Sequence, residues 1–304
     1  MTQTPALFSD VPVALVPAHT IAEFPINTFL ESIVVSADNT LYITSHYEGT
    51  VIRIGADGIP TIHAAIAGKA TGLVATPDGS LLLSGWDSDN TSVVWKIALD
   101  GTASLLVALP DAIFLNGLTP LTDRLYLIAD SYRGAIWELN LTQASVRIWL
   151  EHPLLARANP ENEIPAVNGL KILDRVLYAS NTQNAQIVQI PIQANLQPGS
   201  PTVFVSNANI DDFAFDKAGN LYGTTHVFNS VVKIAPDGSI TTIAKAEQGM
   251  LGTTACAFGK SEGDRTHLYV TTNGGMSFPP PTGVESALVV RLDVGVEGLA
   301  LGKS

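Results

Sequence analysis

At 304 residues with a formal net charge of −12, from 28 acidic against 16 basic side chains, the chain would repel phosphate backbones and anionic bilayers, and no Lys/Arg stripe offsets that locally. Hydrophobic residues reach 46% and charged ones only 14%, which implies a large buried fraction. No apolar run approaches the roughly 18 residues of a membrane-spanning helix. The expectation is a small-molecule partner, with no nucleic acid and no membrane; the oligomeric state stays open.

In chain order, residues 1–6 lack the basic and apolar parts of a secretory signal, the first basic side chain being Arg53, so a cytoplasmic location is expected. The apolar stretch 11–16 reads as a strand with no partner nearby in sequence. Then a repeat begins. Leu41-Tyr42-Ile43-Thr44-Ser45-His46 returns as Leu81-Leu82-Leu83-Ser84-Gly85-Trp86, Leu125-Tyr126-Leu127-Ile128-Ala129-Asp130, Leu177-Tyr178-Ala179-Ser180-Asn181-Thr182, Leu221-Tyr222-Gly223-Thr224-Thr225-His226 and Leu268-Tyr269-Val270-Thr271-Thr272-Asn273. The spacing of about 40 to 50 residues is that of propeller blades.

Before each copy lies a short apolar strand and a turn such as Thr76-Pro77-Asp78-Gly79; after it comes an alternating strand (50–54, 93–97, 135–139, 186–190, 230–234, 287–292). In the first five copies an outer strand follows turns such as Pro236-Asp237-Gly238. The predicted fold is therefore all-β: one six-bladed β-propeller domain over 1–304, four antiparallel strands per blade, with blades near 25–65, 66–109, 110–151, 166–206, 207–246 and 250–294. The sixth copy lacks its outer strand, and the N-terminal strand 11–16 is expected to close that last blade. The lone Cys256, in Thr254-Ala255-Cys256-Ala257-Phe258, excludes an intramolecular disulfide and reads as a packed core thiol.

Inner strands of a propeller start together at one mouth of the axial channel. Aligned on the following hairpin, that position holds Glu31, Thr71, Asn116, Asn168, Asp211 and Thr254, all polar. Two carboxylates among these would repel each other unless a cation or a proton intervened. With amide oxygens they form a hard site suited to a divalent metal ion, Ca2+ first, with Mg2+, Mn2+ or Zn2+ as alternatives. Glu31, Asn168, Asp211 and Asn116 are the candidate ligands. The same register puts His46, Trp86, Asp130, Thr182, His226 and Asn273 at the ends of the second strands on that face. His46 and His226 are candidate bases near neutral pH; Asn116, Thr71, Trp86, Asp130, Asp212, Thr254 and Asn273 are candidate substrate contacts. Two irregular stretches, 152–165 and 273–285, fall at the same mouth as candidate lids, the second offering Phe278 as an apolar wall.

This pattern resembles the regucalcin/gluconolactonase (senescence marker protein-like) family of six-bladed lactonases. Glu31 opening the first blade, Asn168-Gly169-Leu170, and Asp211-Asp212-Phe213-Ala214-Phe215-Asp216 are similar to that family's Glu, Asn-Gly-Leu and Pro-Asp-Gly-Leu-Ala-Val-Asp metal motifs, and Asn116-Gly117 to its further channel Asn. The resemblance implies one divalent cation held by Glu31, Asn168 and Asp211, a lactone-opening hydrolase, and Asp211 as catalytic base. Ser32-Ile33 after Glu31, and Ile210 and Asp212 around Asp211, depart from the family's Gly-Pro, Pro and Gly. Two other readings stand beside the lactonase: a biosynthetic cyclase or isomerase, as in strictosidine-synthase-like propellers, and a non-catalytic binding propeller.

Overall fold

The structure, a computed structural model, describes residues 11–299. It is a six-bladed propeller of six four-stranded antiparallel sheets. Blade one consists of Leu30–Val35, Leu41–Ser45, Thr50–Ile54 and Pro60–Ala65. The inner strands of the next five blades are Gly68–Ala75, Leu115–Pro120, Val167–Leu173, Phe213–Phe215 and Thr253–Phe258. Short 3-10 turns are the helical elements among the described residues, and no helix there is long and apolar enough to cross a membrane. Leu, Ile and Val from the strands of neighbouring blades pack between them, as with Leu30, Ile33, Ile43 and Val289 where blades six and one meet.

The closing strand differs from expectation. Blade six is completed by Ala18–Ile26, which pairs antiparallel with Ser286–Asp293. Residues 11–16 instead run along the outer strand of blade five: the Ala14 and Val16 amides donate to the Thr242 and Ile243 carbonyls, and Val13 bridges Thr242 in parallel. Pro12 and Pro17 lack amide protons and suit an edge contact better than a ladder.

Five inner strands carry a register shift at the same place, between Leu30 and Ile33, Ala70 and Leu73, Leu115 and Leu118, Val167 and Leu170, and Thr253 and Cys256. A bulge bends the strand and re-aims the side chain within it, so Glu31, Thr71, Asn116, Asn168 and Thr254 leave the sheet's regular alternation together.

In four blades a hydroxyl from the second strand stitches this region to the next blade. Thr44, Ser84, Ser180 and Thr224 accept the amide protons of Ser32, Gly72, Gly169 and Asp212. They donate to the carbonyls of Thr71, Asn116, Asp211 and Thr254 at 2.7–2.8 Å. Blade three has Ala129 there, and Ser131, two residues on, donates to the Val167 carbonyl instead. Cys256 is buried as expected; its thiol donates to the Tyr222 carbonyl at 3.2 Å, and burial pushes its pKa up.

Candidate active site

The bulges bring residues from distant stretches of chain to one end of the axis. Asp211 is 7% exposed and anchors the arrangement. Its Oδ1 accepts a short hydrogen bond from Asn168 Nδ2, and its Oδ2 accepts from His226 Nδ1 at 2.9 Å. Asn168 Nδ2 also donates to Thr182 Oγ1 at 3.2 Å. His226 Nε2 lies 3.3 Å from Asn273 Nδ2, which must donate. Asn273 Oδ1 in turn accepts the Gly275 and Met276 amides at 3.0 Å. The network thus assigns a neutral His226 protonated on Nδ1, with its basic nitrogen occupied by the Asn273 amide. The sequence offers His226 as a free base; the geometry makes it a partner of Asp211.

Glu31 makes no side-chain hydrogen bond among the described residues. Burial, then the charges of Asp211 and Asp212, hold its carboxyl well above the usual range. Asp212 is paired with Lys171, Nζ to Oδ1 at 2.5 Å, and burial outweighs that partner to raise its pKa. Asn116 is 5% exposed, and its Nδ2 is buried with no partner. A half-turn of that amide exchanges nitrogen for oxygen, so Asn116 is equipped either to donate to a carbonyl or to face a cation.

Among the described residues no three His, Cys, Asp or Glu side chains are grouped to hold a metal. A cation here would rest on two carboxylates, Glu31 and Asp211, completed by amide oxygens. This donor set fits a hard divalent ion, because such an ion offsets the repulsion among Glu31, Asp211 and Asp212 that adds to burial in raising the Glu31 pKa. Without metal, Glu31 contributes stability at low pH that is lost as pH rises from the ordinary glutamate range through its raised folded-state value. In chelator at neutral pH, Glu31→Gln is therefore expected to melt above the parent, whereas added Ca2+ raises only the parent's midpoint. Thermal scans with and without Ca2+ check both halves.

Around this polar centre runs a rim of rings. Phe278 packs on His226 (6.2 Å between centroids), His226 on Phe29 (6.0 Å), Phe29 on His46 (5.6 Å), His46 on Trp86 (6.0 Å), Trp86 on Phe114 (4.6 Å) and Phe114 on Tyr132 (5.0 Å). His46 donates from Nδ1 to the Ala70 carbonyl at 2.7 Å, and burial lowers its pKa, so it is a neutral wall residue with Nε2 unbonded among the described residues. Phe278 is 44% exposed at the opening. Phe29 and Phe114 were not anticipated. The signal lay in Phe29-Leu30-Glu31 and Phe114-Leu115-Asn116, where each Phe stands two residues before a ring position.

Three expected substrate contacts are placed otherwise. The Thr71 hydroxyl donates to the Leu115 carbonyl and the Thr254 hydroxyl to the Leu30 carbonyl, so both seal neighbouring blades. Asp130 sits one residue early in register: it pairs with Leu115, whereas Ser131 matches His46 and Trp86. Fully buried, Asp130 accepts from the Ile113 and Phe114 amides at 3.0 Å and from Trp137 Nε1 at 3.2 Å, which fixes the loop that carries Phe114. The 152–165 stretch is tied down rather than loose. Asn181 Nδ2 donates to the Leu154 and Ala156 carbonyls, and Arg157 stacks 4.1 Å over Tyr132.

The fold and the polar axial centre together define a six-bladed propeller with carboxyl and amide side chains gathered at one end of its axis. Residues 161–274 match the family model described as SMP-30/Gluconolactonase/LRE-like region, so the resemblance read from the sequence holds across blades four and five and into blade six. Among solved structures the chain is similar to a luciferin-regenerating enzyme (TM-score 0.74, 16% identity, 95% of this chain and 99% of that one). It is also similar to the calcium-binding protein regucalcin of Agrobacterium tumefaciens (0.70, 18%, 96% and 97%) and to a gluconolactonase of Xanthomonas campestris (0.69, 15%, 93% and 91%). A candidate hetero-Diels-Alderase of Phoma sp is 27% identical over 197 residues, 57% of this chain and 56% of that protein's length.

Proposed function

We propose that the protein is a lactonase-type hydrolase whose substrate is a small cyclic ester with an apolar or aromatic body. One observation carries the reading: Asp211, oriented by Asn168 and His226, opens under a rim of aromatic rings. Each Asp211 oxygen accepts one hydrogen bond in the network and keeps a lone pair. Asp211 takes a proton from water while the water oxygen adds to the lactone carbonyl carbon; the ring C–O bond then breaks, and the proton passes to the departing alkoxide. The Asn116 amide, unpartnered in the absence of substrate, donates to the developing oxyanion.

Glu31, Asp211 and the amide oxygen of Asn168 would hold a divalent cation, Ca2+ foremost, which supplies Lewis acidity to a bound carbonyl, while Asn116 keeps its donor role. The rim argues against a polyhydroxylated sugar, whose hydroxyls need polar partners. The match to the Phoma sp protein favours a second reading, in which the same rim and donors bind a heterodiene and an alkene for cyclisation.

A pH-drop assay over sugar, aliphatic and aryl lactones, with Ca2+ or chelator, tests the choice. Aryl or aliphatic lactones are expected to be opened faster than gluconolactone. Hydrolysis of none of them overturns the lactonase reading, and consumption of an enone and alkene pair would then establish the second.

A further inference from the structure

The channel has a second mouth, at the far ends of the inner strands, and its chemistry is opposite to that of the first. A cavity of about 760 Å³ runs to that mouth from Ser32, Gly117 and Asp212 beside the ring, its walls formed by apolar side chains such as Ile33, Val35, Leu73 and Phe258. Its charged lining is Lys171, Lys217, Lys260 and Arg265 against the single acid Asp212, a local excess of cations in a chain of net charge −12.

Two of these cations are committed: Lys171 to Asp212, and Lys217 to the exposed Glu297. Lys260 and Arg265 have no carboxylate within ion-pair distance among the described residues. Leaving a partly buried ammonium without a counter-charge is costly, and burial pulls the Lys260 pKa down accordingly.

The loop bearing these two residues is built, not loose. Asn39 Oδ1 accepts the Lys260 and Ser261 amides at 2.9 Å, and Arg265 Nε donates to the Lys260 carbonyl at 3.2 Å. The Gly298 amide donates to the Arg265 carbonyl, and the same glycine crosses so close to Phe258 that a Cβ would lie 2.2 Å from that ring.

We infer that this far cavity is a binding site for an amphiphilic organic anion, its apolar body among the inner-strand side chains and its carboxylate at Lys260 and Arg265. The volume suits a small organic ligand, and a preset pair of cations lowers the entropy cost of holding the head group.

Titration calorimetry with octanoate and 1-octanol on the intact protein tests this. Octanoate is expected to bind at least about tenfold more tightly than octanol, and to weaken with added salt. The Lys260→Gln/Arg265→Gln variant should lose most of that preference at an unchanged melting midpoint. Glu31→Gln, changed at the Asp211 end of the channel and outside the cavity lining, should bind octanoate as the parent does. Equal affinity for acid and alcohol, unchanged octanoate affinity in the double variant, or loss of octanoate binding in Glu31→Gln would each overturn the inference. None of these readouts depends on lactone hydrolysis.

Discussion

Asp211→Asn is expected to lower kcat/KM on the best substrate by about 10²- to 10⁴-fold, the range for loss of a positioned general base. Both Asp211 oxygens accept, from Asn168 Nδ2 and His226 Nδ1. An asparagine can satisfy one of those donors, but its own NH2 must then face the other. His226 would be driven to carry its proton on Nε2, which no longer accepts from Asn273. The substitution therefore removes the proposed base and scrambles the tautomer while keeping the shape. Its melting midpoint in chelator should stay near the parent's, which separates chemistry from folding. Activity within tenfold of the parent on a substrate the parent turns over would remove Asp211 from the reaction.

Lys171→Met is expected to cost about 3–5 kcal/mol, the penalty for stranding one member of a buried ion pair. The Lys171 and Asp212 side chains are 11% and 19% exposed, and Asp212 lies near two more carboxyls, Asp211 and Glu31. With the ammonium gone, the Asp212 proton affinity rises further above its unfolded value. An acid so shifted adds stability at low pH that is lost as pH rises through its folded value. The deficit of Lys171→Met should thus be small near about pH 4, the ordinary aspartate range, and full at neutral pH. The double change Lys171→Met/Asp212→Leu should recover most of the loss. Denaturant melts of the parent, single and double variants at both pH values read all of this; a single variant as stable as the parent at neutral pH would show that the pair is not needed.

What the sequence made legible was what repeats. Leu41-Tyr42-Ile43-Thr44 and its five echoes located every second strand, and the residue facing each echo located the ring. Departures from the repeat were harder. Ala18–Ile26 is an edge strand with Ala22 as its one buried residue, so it shows little alternation, whereas the apolar 11–16 stretch imitates a strand. In blade three, Asp130 stands where the other repeats carry Ser45, Gly85, Asn181 or Thr272, and counting from the leucine misplaced it by one. Lys171 reads as an ordinary outward residue of its strand. Its partner lies 41 residues away, and Asp212 in place of the family's glycine was the one sign of it. The hydrogen bonds linking Asp211, His226 and Asn273 depend on rotamers that no spacing encodes.

The strand Ala18–Ile26 and the strand Ser286–Asp293 are the first and last of the described fold, and they lie side by side. During synthesis on the ribosome the first must wait, unpaired, until Ser286–Asp293 has emerged. Such a late, long-range closure makes folding slow and leaves a half-made chain with an open sheet edge ready to join a neighbour.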